Sequence, residues 1–222
     1  MEEDKHVSLL VDETEKDGQL ETIMDYVISW CLRCAEENAI LYNPEAEEKT
    51  IKENQPTLFR YCHFMLAKLL GLENKDKLEF TSVKTWKQKY RIDLWVEVVL
   101  KINGEEQKHA VLIEDKYYSE LRNNKYGRCQ LEVYKEKFDN DYQNRPEWIK
   151  HYCLITQIDC EDTKFKEYYH QKAEENGFSL YNIRELLYSE KGEITESDIF
   201  NEYWFGKDSQ KDSQKDSNSE GQ

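Results

Sequence analysis

The sequence predicts an α/β domain in which a mixed central sheet is flanked by helices. Two amphipathic helical segments come first, a block rich in Val, Ile, Trp and Phe follows between residues 78 and 118, and strand and helix patterns alternate after it. Strands entered from helices and left through alternating helices build a sheet with helices packed against it. A chain of 222 residues suits one such core and is short for two.

From Leu20 to Asn38, Ile23, Val27, Trp30, Cys31 and Cys34 recur at the spacing of one helix face. Asn43-Pro44 and an acidic run interrupt that pattern. Pro56 suits the first turn of a second helix, which carries Leu58, Phe59, Cys62, Met65, Leu66 and Leu69 and closes at Gly71. Leu78 to Trp86, Arg91 to Ile102 and His109 to Tyr118 read as consecutive strands of an antiparallel meander, with Gly104 in the second turn.

A helix is expected from about Asn124 to Tyr142, with Leu131, Tyr134 and Phe138 on one face. Beyond it come a buried strand from Tyr152 to Ile158, a helix from Phe165 to Asn176 stopped by Gly177, and a short strand from Phe178 to Ile183. Arg184 to Tyr188 suggests a helical turn, and Ile194 to Phe205 a last amphipathic helix. The folded domain thus spans 20–206, between an acidic, loose arm over 1–19 and a disordered tail over 207–222. That tail repeats Lys-Asp-Ser-Gln and offers no apolar surface to bury.

The formal net charge of −15 argues against adhesion of a whole face to DNA or RNA, which needs a Lys/Arg surplus. Any nucleic-acid contact must be local. The start Met1-Glu2-Glu3-Asp4 has no leader character, so a cytoplasmic protein without a membrane partner is expected. The six cysteines read as reduced core thiols without disulfides. Cys31 and Cys34 have metal-ligand spacing, yet no second pair accompanies them and they sit within a helical period.

The chemistry lies in two of the strands. Asp93 stands among apolar residues in Ile92-Asp93-Leu94-Trp95-Val96, and the run Ala110-Val111-Leu112-Ile113 ends abruptly in Glu114-Asp115-Lys116. A half-buried carboxylate needs a partner. The two-residue period puts Glu114 and Lys116 on one face and Asp115 on the other. If the strands pair through the turn at Gly104, Asp93 and Glu114 become neighbours, and a hard cation such as Mg²⁺ or Mn²⁺ relieves their repulsion, with the Asp115 carbonyl as a further ligand. Lys116 can then orient or deprotonate a water, or balance charge on a phosphate.

These residues resemble the PD-(D/E)XK nuclease superfamily. Asp93 matches its first acid, Glu114-Asp115-Lys116 its (D/E)-x-K element, and Gln130 and Tyr134 the Q-x-x-x-Y motif of the RecB-type branch. The resemblance implies a restriction-endonuclease-like αβββαβ core over roughly residues 57–160, with Gln130 and Tyr134 facing the site from one side of a helix. Many members carry another acid on the first core helix. Here Thr57 to Leu70 has none, and Glu21, Asp25, Glu36 and Glu37 remain open as substitutes. Ile92 stands where the family name has proline.

The expected function is a Mg²⁺- or Mn²⁺-dependent, deoxyribonuclease-type hydrolase. Asp93, Glu114 and Asp115 hold the metal, Lys116 assists the water, and Gln130 and Tyr134 position the lysine or a phosphate. Nucleic acid, DNA before RNA, is the expected partner, and a basic protein or a second copy of the chain are further candidates. The alternative is an inactive nuclease-fold subunit that binds or regulates a partner. The basic run from Lys84 to Arg91 leads into Asp93 and could follow a phosphate backbone, with Trp86 or Tyr90 for stacking. As a solvated turn it would do neither.

Overall fold

Five strands, β1 (Leu78–Lys89), β2 (Ile92–Ile102), β3 (Glu105–Lys116), β4 (Trp148–Thr156) and β5 (Ser179–Asn182), form one sheet in that spatial order. The first three are antiparallel, while β4 and β5 run parallel to β3 and to each other. The sheet is therefore mixed and flanked by helices, as the sequence predicts. The computed structural model describes residues 17–40, 49–117, 119–157, 163–187 and 193–205. Most of the expected arm and the whole Lys-Asp-Ser-Gln tail lie outside them.

The helices fall into two layers. On one face, α1 (Asp17–Cys34), the short α2 (Ile51–Asn54), α3 (Pro56–Leu69) and a last helix α6 (198–205) enclose a core that includes Ile28, Leu32, Leu58, Met65, Val96, Ile113 and Phe200. On the other, α4 (Gln130–Asp141) and α5 (Thr163–Asn176) cover Trp95, Leu112, Leu131, Phe138, Leu154 and Tyr169. Alternation along β3 feeds both layers, Leu112 to one and Ile113 to the other.

Local chemistry explains the element ends. Pro56 opens α3, whose first amides at Thr57 and Leu58 donate to the Glu196 carboxylate at 3.2 and 3.1 Å. The segment before α6 thus caps α3. Asn103 and Gly104, with φ of 52° and 88°, make the two-residue turn that fixes the β2–β3 register from Ile102↔Glu105 to Leu94↔Ile113.

Several boundaries differ from expectation. α1 begins at Asp17, inside the span assigned to the loose arm. The third strand starts at Glu105, four residues before His109, because the tight turn pairs Glu105 directly with Ile102. The helix expected from Asn124 starts at Gln130. Asn124 Oδ1 accepts the amides of Tyr126 and Arg128 at 2.9 and 3.0 Å, and Gly127 takes φ of 78°, so a side-chain-stabilised turn replaces the first helical turns. Thr195, whose hydroxyl accepts the Ser197 amide at 3.1 Å, similarly delays the last helix. Among the described residues, Cys31, Cys34, Cys62, Cys129 and Cys153 are free thiols, and no helix is long and apolar enough to cross a membrane.

Candidate metal centre

Glu114, Asp115 and Lys116 close β3 at the centre of the sheet, and only 1, 1 and 7% of their surfaces remain exposed. Three consecutive buried charges are costly unless each is paired. β2 supplies one partner: Asp93 lies one residue beyond the Leu94↔Ile113 pair, beside the end of β3. Its Oδ2 accepts the Asp115 amide at 3.1 Å and its Oδ1 accepts Gln88 Nε2 at 3.0 Å. Gln88 belongs to the β1–β2 hairpin.

The Lys116 ammonium lies among oxygens. It is 2.7 Å from Glu114 Oε1, 3.8 Å from Asp93 Oδ2, and donates to the Asp115 carbonyl at 2.7 Å. These are the side chains and the carbonyl expected to hold a cation, and here a cation is what they surround. Glu114 Oε1 also accepts Gln130 Nε2, whereas its buried Oε2 has no hydrogen-bond partner. Burial first, then the Asp93 charge, pushes the Glu114 carboxyl well above the usual carboxylate range, and Lys116 opposes them.

Gln130 also fastens the loop ahead of α4, because its Oε1 accepts the Arg122 amide at 2.6 Å. Tyr134, one turn further along α4, lines the same cleft, and burial followed by the Glu114 and Asp93 charges raises its phenol. That cleft, of about 920 Å³, contains Asp93, Glu114, Lys116, Gln130 and Tyr134 together with Arg91, Arg122 and Lys137. All the side chains expected to carry chemistry on this face meet in it.

Asp115 points to the opposite layer, as the strand period requires. There it hydrogen-bonds Asp25 of α1, and one oxygen from each of Asp25, Asp93 and Asp115 lies within 4.8 Å of the others. Of the open helix acids whose side chains are described, Asp25 is the one that reaches the site. Burial raises both the Asp25 and Asp115 carboxyls, since facing buried carboxylates need a proton or a cation between them. Asp25 Oδ1 and Asp115 Oδ2 are buried without partners. Asp93 therefore belongs to two oxygen sets, one open to the cleft and one enclosed under α1. Carboxylate oxygens in both sets, joined in the first by the Asp115 carbonyl, are hard donors of the kind that could hold a hard divalent cation.

Sequence reading leaves Asp25 undistinguished among four acids and misses a histidine pair. Asp25 follows buried Met24 and lies one turn before buried Ile28, so an acid on the apolar stripe was its signal. His109 and His151, from neighbouring strands, approach to 2.9 Å between Nδ1 and Nε2, although their spacing reveals nothing. Cys31 and Cys34 are fully packed in the α1 core, and His63 is packed between Phe59 and Phe80. The chain matches no family model, no curated protein and no solved structure.

Proposed function

We propose that this chain is a metal-dependent nuclease of the PD-(D/E)XK kind, which hydrolyses phosphodiester bonds of nucleic acid, DNA in the first instance. The observation that carries the reading is the Lys116 ammonium among Glu114 Oε1, Asp93 Oδ2 and the Asp115 carbonyl. That oxygen set attracts positive charge and opens onto a cleft lined by Arg91, Arg122 and Lys137. The order α3, β1, β2, β3, α4, β4 is compatible with the restriction-endonuclease-like core that the sequence resemblance implies.

In this reading Asp93, Glu114 and the Asp115 carbonyl would hold Mg²⁺ or Mn²⁺, which when bound would supply charge neutralisation at the phosphate and a more acidic water. Lys116 Nζ, displaced from that oxygen set, hydrogen-bonds the attacking water or a non-bridging phosphate oxygen. Gln130 fixes Glu114 through its amide nitrogen and the cleft loop through its amide oxygen. Tyr134 orients the phosphate. Water adds its oxygen to phosphorus while the ester P–O bond breaks; the proton that the water sheds passes to solvent, and the departing alkoxide takes one from solvent.

The test incubates the full chain with linear, supercoiled and branched DNA in Mg²⁺ or Mn²⁺. Cleavage that chelation stops and Lys116→Ala abolishes is expected. No cleavage of any substrate, or cleavage undiminished by Lys116→Ala, overturns the reading. Calorimetric titration with Mn²⁺ separates the parts: Asp93→Asn and Glu114→Gln should each remove binding, whereas absence of binding by the unaltered chain would point to an inactive regulatory subunit.

A further inference from the structure

We infer that the cleft receives an unpaired strand of nucleic acid, not an intact duplex, with phosphates on Arg91, Arg122 and Lys137 and bases against Tyr90 and Tyr126. This rests on the nuclease reading of the same site. The chain carries a formal charge of −15, yet these three cations line the cleft together with Lys116. Among the described residues neither Arg91 nor Arg122 makes an ion pair, and Lys137 donates to the Tyr90 carbonyl at 3.2 Å. Unspent guanidinium groups around an acidic centre are suited to phosphate.

The depth of the acids decides the form of the substrate. Glu114 and Lys116 are 1 and 7% exposed, so the scissile phosphate must descend below the rim to reach them. A duplex is stiff, with a persistence length of about 150 base pairs, and bending it over a few nucleotides is costly. A single strand turns at each nucleotide.

The rims offer what unpaired bases need. Tyr90 is 51% exposed on the β1–β2 hairpin, next to Arg91, and Tyr126 is 75% exposed in the turn that follows Asn124 of the cleft lining. Base–aromatic stacking is tolerant of sequence and unavailable to bases already stacked in a duplex. The hairpin is also built to fix its side chains. Gln88, Tyr90 and Arg91 take φ of 56°, 56° and 71°, values uncommon for side chains of this bulk. Lys137 on the Tyr90 carbonyl and the Lys89–Asp141 pair at 2.7 Å fasten this conformation to α4.

The test measures binding by fluorescence anisotropy in Ca²⁺, using labelled DNA and RNA single strands of roughly 12 nucleotides and a blunt DNA duplex of equal length, with integrity checked on gels. Single strands should bind at least about ten-fold tighter than the duplex, and Tyr126→Ala, on an exposed turn, should weaken them about ten-fold. Three phosphate contacts give a slope of log affinity against log salt of about −2, and Arg122→Ala should flatten it by about 0.7. Lys101→Ala, at the opposite end of β2 from Asp93 and outside the cleft lining, should change nothing. Equal or tighter duplex binding, no single-strand binding, or insensitivity to both cleft variants overturns the inference. Failure to cleave in Mg²⁺ with single-strand binding intact would overturn the nuclease reading alone.

Discussion

The Lys116 ammonium lies 2.7 Å from Glu114 Oε1 and donates to the carbonyl of its own neighbour Asp115 at the same distance. In the proposed reading it competes with a divalent ion for the same oxygens. Lys116→Met keeps the length of the side chain and removes the charge. The variant should lose cleavage by about 10²–10³-fold, the scale of losing one group that stabilises transition-state charge, yet bind Mn²⁺ at least as tightly as the unaltered chain. Calorimetry and cleavage rates on one preparation check both halves. Weaker Mn²⁺ binding would mean that Lys116 supports the metal and does not compete with it.

Gln130 joins two parts of the cleft. Its amide contacts Glu114 through nitrogen and the Arg122 backbone through oxygen. Gln130→Ala should lower metal affinity or turnover by about 10–100-fold, the usual effect of removing a partner of a metal ligand. Gln130 begins α4 and is not among its buried residues, so thermal stability should fall by only about 1 kcal/mol. A large loss of stability with unaltered turnover would make Gln130 a structural fastener.

The cleft-side cluster of charges was legible because strand patterning makes charge conspicuous: Ala110 to Ile113 reads as buried, and Glu114-Asp115-Lys116 at its end must be explained. The antiparallel pairing of the first three strands also followed from sequence, since Asn103-Gly104 and β-branched runs act locally. What resisted reading depends on distance or on side-chain turns. Asn124 offers its own oxygen to the following amides, so a stretch without proline left the helical path. Asp25 meets Asp115 across 90 positions, a contact set by how α1 lies on the sheet, and no local period encodes that docking. Arg91, Arg122 and Lys137 come from three elements and converge only once α4 is placed.

Asp25 tests which oxygen set would hold the proposed metal. With Asp93 and Asp115 it forms a buried carboxylate group, and burial pushes its own carboxyl upward. Asp25→Asn removes a charge that folding must confine. The metal-free variant should melt higher by about 2–4 °C, corresponding to about 1 kcal/mol in a chain of this size. Because the cleft-side set retains Asp93, Glu114 and the Asp115 carbonyl, Mn²⁺ should still raise the melting temperature. If Asp25→Asn abolished that rise, the metal would sit under α1, beyond direct reach of a substrate in the cleft.

His109 and His151 predict a separate dependence on pH. Burial, and then the His151 charge, bring the His109 imidazole down to about 4, and burial lowers His151 as well. Their rings stack at 5.1 Å with His109 Nδ1 facing His151 Nε2, while His109 Nε2 faces Gln107 Oε1 at 3.1 Å. One ring must offer a lone pair, so double protonation breaks the pair. Above pH ~7.5 both imidazoles are essentially neutral, folded or unfolded, and their contribution is constant. As pH falls from there towards 4, the unfolded chain takes up protons that the folded chain refuses, so stability declines. Urea midpoints at pH 7.5, 6.5, 5.5 and 4.5 should fall along this series, beyond whatever the carboxylates contribute. His109→Gln should flatten the decline by up to about one proton; an unchanged slope would mean that the pair titrates as it does in the unfolded chain.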